Sequence, residues 1–133
     1  MPGLPDFLDQ IGRWFDRAET RAAREDQALR ALLMAVNSTK RYLGSRALGR
    51  PPSARTQARL VRLWTDAAVK VRRLDRELAH RLQLTAEYWA HPERWTARDM
   101  RTARIRIEEI AASARKLLRR GVPAGQRLRG SGR

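Results

Sequence analysis

LVRLWTDAAVKVRRLDRELAHRLQLTAEYW, residues 60–89, is the stretch on which the reading of the fold turns. Leu60, Trp64, Ala67, Val71, Leu74, Leu78, Leu82, Thr85 and Trp89 recur at steps of three or four. That spacing gathers them on one stripe of an α-helix and scatters them on a strand. The register runs unbroken through Asp75, which predicts one long helix from the Ser53 cap to about Ala90. The alternative is a fresh helix capped by Asp75, with Glu77 near its positive N-terminal end. We read the stretch as one rod.

Working outward, the same period holds on both sides. Gly49, Pro51 and Pro52 end the preceding helix firmly, because proline lacks the N–H that the helical ladder needs. Upstream of them Leu29, Leu32, Leu33, Val36 and Leu43 form a second apolar stripe. The polar stretch Thr20–Gln27 interrupts it. A helix could run unbroken from about Phe7 to Leu48. The lapse favours a break near Thr20, with a short first helix built on Phe7, Leu8, Ile11, Trp14, Phe15 and Ala18. Downstream, His91 and Pro92 close the rod. Thr96-Ala-Arg-Asp99 then reads as a capping box. Met100, Ala103, Ile107, Ile110, Ala114 and Leu117 predict one final helix ending at Gly121.

The expected architecture is therefore all-α: an antiparallel bundle of three long helices plus a short N-terminal helix. Residues 1–121 form the single domain. Residues 122–133, which contain Gly, Pro, Ser and three Arg and no core-forming pattern, read as a flexible basic tail.

Charge is distributed unevenly over this frame. Residues 1–39 hold five Arg against six Asp and Glu. Residues 40–133 hold 24 of the 29 basic residues and eight of the 14 acidic ones, a balance of +16 that with the −1 of residues 1–39 makes the net charge of +15. Arg outnumbers Lys by 26 to 3, a bias that a GC-rich genome produces by itself. Codon bias does not produce the net charge, since lysine would supply it equally. A field so one-sided concentrates polyanions and speeds their encounter, which makes nucleic acid the first partner to consider.

Arg55, Arg59, Arg62, Arg73 and Arg76 fall roughly opposite the Leu60/Trp64 seam. Arg98, Arg101, Arg104, Arg115 and Arg119 fall away from Met100/Ile107/Ala114, with Arg106, Lys116 and Arg120 beside them. These ten arginines are the candidate phosphate contacts, salt-sensitive and indifferent to base sequence. The competing readings are a solvated face that serves solubility and a basic face that docks an acidic protein partner. Among the aromatics, Trp64 and Trp89 lie on the seam and read as core. Tyr42, near Lys40, Arg41 and Arg46, is the candidate for base stacking. Trp95 reads as a staple ahead of the Thr96 cap.

Other chemistry has little to work with. There is no cysteine, so disulfides and thiolate metal sites are excluded. His80, Glu87 and His91 share a helix face but lack the further ligands that zinc requires. No HExxH, Walker A, GxGxxG or nucleophile elbow occurs. The expectation is a protein without enzyme activity, cofactor or metal. No run approaches the ~20 apolar residues of a membrane span, and the N-terminal segment does not read as a secretory signal. The Phe7–Phe15 segment carries Asp6, Asp9 and Asp16 against Arg13 and Arg17, which argues against an anionic bilayer. It would pack on the bundle or dock a partner protein. A cytoplasmic location and self-association of the long helices are expected.

Ala35-Val-Asn-Ser-Thr-Lys-Arg-Tyr-Leu43, Arg62-Leu-Trp-Thr-Asp-Ala-Ala68 and Glu87-Tyr-Trp-Ala-His-Pro-Glu-Arg-Trp-Thr96 resemble the pattern of small uncharacterised bacterial helical proteins. The likeness covers about Ala31–Leu118 and implies no established activity or site residue. In size, charge and architecture the chain is also similar to two other groups. One is the basic helical accessory proteins of retroelement reverse transcriptases. The other is the small helical subunits of multisubunit CRISPR effectors. Both likenesses are analogies of fold, with no shared motif.

Overall fold

Where the apolar stripe lapses at Thr20–Gln27, helix propensity takes over. The stretch contains neither Gly nor Pro, and Ala22 and Ala23 are strong helix formers. Asp26 pairs with Arg30 one turn later at 3.1 Å. The computed structural model, which describes the backbone of residues 4–121 and the side chains of residues 21–120, accordingly shows one continuous helix, α1, Leu4–Ala47. The expected break near Thr20, and with it the separate short first helix, is corrected. At 44 residues α1 is about 66 Å long. The role expected of the Phe7–Phe15 side chains and the tail at 122–133 lie outside the described residues.

Gly49 ends α1 as the sequence predicts. It adopts φ 87°, a left-handed conformation that glycine tolerates. The Gly49 N–H then reaches the Arg46 carbonyl at 3.0 Å and the Arg50 N–H reaches Ser45 at 3.3 Å. This pair of bonds is a Schellman motif, which satisfies carbonyls that the helix end would leave bare. Ser53 caps the next helix, α2, Ala54–Val71, by accepting the Thr56 N–H at 3.1 Å.

The single rod over 53–90 is also corrected. Helix α2 ends at Val71, and α3, Arg76–Ala90, begins afresh. The Asp75 carboxylate accepts the Leu78 N–H at 2.9 Å, and the Val71 carbonyl accepts from Leu74 and Asp75. The turn lets two half-length apolar faces bury each other, where a rod would leave both waiting for other partners. Leu60, Trp64, Ala67 and Val71 on α2 are buried, as are Leu78, Leu82, Ala86 and Trp89 on α3.

After a single 3-10 turn at Pro92–Arg94, the Thr96/Asp99 capping box opens a short α4, Ala97–Ala103, with bonds of 2.9 and 3.0 Å. The final helix is not continuous either. Arg104 takes φ 58°, Ile105 is buried, and α5, Ile107–Gly121, starts on a new axis. The long final helix expected from the Met100–Leu117 spacing is thus two helices joined by a buried corner.

The described chain is helical, with no strand among the described residues. Helix α2 packs most extensively on α3 and next on α1, and α5 lies against α1. Across α1 and α2, Thr39 meets Trp64 while Tyr42 meets Ser53 and Gln57, so partner numbers rise on one helix as they fall on the other. One core joins them, centred on Leu32, Leu60, Trp64, Leu82 and Ile110. Among the described residues no helix is long and apolar enough to cross a membrane.

Candidate nucleic-acid interface

All ten arginines singled out from sequence are exposed. Arg55, Arg59 and Arg62 recur along the outer face of α2, because positions three and four apart return to one side of a helix. Arg98 and Arg101 lie on α4, and Arg115 and Arg119 on the solvent side of α5. Only Arg104 of the set forms an ion pair among the described residues, with Glu77 at 3.5 Å and Glu109 at 3.9 Å. Two further carboxylates are engaged by basic residues outside the set: Asp66 by Lys70 at 3.1 Å and Asp75 by Arg120 at 3.9 Å.

The structure divides the set. Arg73 and Arg76 meet at the α2–α3 turn around a hollow of about 600 Å³, joined by Arg72. Arg104 belongs to a different place, a cavity of about 160 Å³ between α3 and α5 that Lys116 and Arg120 also line. Arg72 stands beside Arg73 in the sequence, but with a helix running straight through it there was no turn to bring the two together with Arg76.

The residue that sequence reasoning missed is Arg81. It is only 7% exposed. Its Nε donates to the Arg104 carbonyl at 3.0 Å and its Nη1 to Ser113 Oγ at 3.0 Å. The guanidinium thereby caps the α4–α5 corner and ties it to α3. Burial pushes the Arg81 pKa below the ordinary arginine value, and Arg104 pushes the same way against Glu109, Glu77 and Asp75. Its Nη2 and the Glu109 Oε2 are buried without a hydrogen-bond partner. A signal for it was present: Arg81 sits three residues after Leu78 and four before Thr85, on the apolar stripe of α3.

Tyr42, the stacking candidate, is buried rather than displayed. Its hydroxyl accepts from the Ser53 N–H and from Gln57 Nε2, both at 3.1 Å. Its ring meets Trp89 edge-on at 5.6 Å. The basic residues around it in sequence point outward while the tyrosine faces α2 and α3. Trp64 and Trp89 are core residues, as their spacing predicts. Trp95 approaches Tyr88 at 6.2 Å. His80, Glu87 and His91 are exposed, and no group of three His, Asp or Glu that could hold a metal ion occurs among the described residues.

No known family model matches the chain, and no curated protein or solved structure matches it.

Proposed function

We propose that this protein is a non-catalytic accessory protein that binds nucleic acid through phosphate contacts, without reading base sequence. The observation that carries the reading is the state of the arginines. They are exposed on α2, α4, α5 and the α2–α3 turn, and Arg104 alone among the ten forms an ion pair among the described residues. Cations left unmatched on a chain of net charge +15 attract a polyanion over several ångströms and exchange their counterions for its phosphates. In this reading the helices form an up-down antiparallel bundle, and the basic residues of 122–133 add to the same field. Exposed Met34, Leu43 and Leu118 are apolar surface that assembly with further copies would cover. The protein works in the cytoplasm.

Titration of labelled single-stranded DNA, duplex DNA and RNA across a salt series tests this. With six phosphates neutralised on a duplex, log K falls against log salt with a slope of about −5. Different base sequences give the same affinity. Absence of binding at low salt overturns the reading. The basic face would then belong to an acidic protein partner, whose interface would lose most of its energy at one or two arginines rather than evenly.

A further inference from the structure

We propose that the groove between the end of α2 and the start of α3 is the principal seat for nucleic acid, and that it takes a single strand. The inference rests on the phosphate-binding reading above and names where and in what form the ligand binds.

The groove is an open depression of about 380 Å³. Its floor is Ala68 and Ala79, both buried and both small, so the helices approach closely and leave a shallow groove above them. Arg72, Arg76 and His80 rise from its walls, with Gln83 further along α3. The hollow at the turn shares Val69, Arg72 and Arg76 with it and adds Arg73, so three guanidinium groups border two adjoining depressions. None of the three forms an ion pair among the described residues. Asp75 is the carboxylate at this edge, and it is engaged by the Leu78 N–H and by Arg120 at 3.9 Å.

Val69 decides the form of the ligand. It is 68% exposed amid these arginines, an apolar side chain in a strongly cationic surround. A polyanion with no apolar part would satisfy the arginines and leave Val69 in water. An unstacked nucleotide offers both chemistries, since its phosphate meets the guanidinium groups and its base face covers Val69 and stacks on an arginine plane. A duplex keeps its bases stacked inside, so it offers phosphates to the arginines but no base face to Val69.

The test uses the full chain, an end-labelled oligothymidylate and a duplex of equal length. Arg72→Gln/Arg76→Gln removes two charges from the groove, and Arg98→Gln/Arg101→Gln removes two from α4. Circular dichroism establishes that both fold. The groove pair flattens the single-strand salt slope by about 1.4, the share of two phosphate contacts, and weakens binding well beyond the α4 pair. Val69→Ser, which removes the apolar contact with the bound base and changes no charge, weakens single-strand binding and leaves the salt slope as it was. Equal losses from the two double variants overturn the groove while leaving general phosphate binding intact. A wild-type chain that binds neither probe at low salt removes the underlying reading as well. Duplex bound as tightly as single strand, with the same sensitivity to Val69→Ser, overturns the choice of strand.

Discussion

The indole Nε1 of Trp64 donates to Thr39 Oγ1 at 2.9 Å inside the core, and both residues are almost wholly shielded from water. This bond fixes how far α2 slides along α1, because a one-turn slip would leave two buried polar atoms unpaired. Trp64→Phe keeps an aromatic ring but strands the threonine hydroxyl. Urea denaturation is expected to show a loss of about 2–4 kcal/mol, combining lost volume with an unsatisfied hydroxyl. Adding Thr39→Val to Trp64→Phe should recover part of it, and strict additivity would count against the bond as a coupled unit.

Arg81 makes the second prediction. Its bonds to the Arg104 carbonyl and Ser113 are charge-assisted and buried. Arg81→Ala should destabilise the fold by about 2–3 kcal/mol. Arg81→Lys should restore little, because an ammonium cannot span both acceptors as the guanidinium fork does. Hydrogen exchange should accelerate first around Ile105–Ile110, where the corner is tied down. Uniform acceleration over the whole chain would argue against a local clamp.

Gly49 makes the third. Nothing lies within 4 Å of a Cβ placed there, so space is not the constraint; the positive φ is. Gly49→Ala is expected to cost about 1–2 kcal/mol through backbone strain. Gly44, still helical in the last turn of α1 and equally unobstructed, supplies the contrast, since Gly44→Ala should stabilise α1. Thermal melts of the two variants should move in opposite directions.

The fourth concerns acid. Asp99 accepts the Thr96 N–H, and that bond, followed by its link to the Thr96 side chain, holds its carboxyl below the ordinary aspartate range. A folded-state pKa below the unfolded one contributes stability that is present above about pH 4 and lost as pH falls through the lower value. The opening turn of α4 should therefore fray on acidification before the core does. In Asp99→Asn the chemical shifts of Ala97–Arg101 should lose this pH dependence, and an unchanged titration would assign it to another group.

The helical period, the Gly49–Pro52 stop, the Ser53 cap and the Thr96/Asp99 box were all legible in the chain, because each depends on neighbours within a turn or two. So was the exposure of the ten arginines, which follows from their register opposite the apolar stripes. What failed were inferences about continuity. The lapse at Thr20–Gln27 looked like a break, yet a segment without Gly or Pro needs no apolar partner to stay helical. Conversely, the unbroken spacing across Asp75 and across Arg104 looked like continuous rods. Two helices that fold back on one another each need an apolar face, so the spacing carries through a turn as readily as through a helix.

The sequence by itself determined that this protein is helical, where several of its caps fall, and that its positive charge lies in the part of the chain after residue 39. Only tertiary structure decided that Tyr42 and Arg81 turn inward and that Arg72, Arg73 and Arg76 converge on one depression. The physical reason is range. Period and capping are set within a few residues. Burial of a polar side chain depends on partners such as Ser53, Gln57, Arg104 and Ser113, brought close by packing from 11 to 32 positions away.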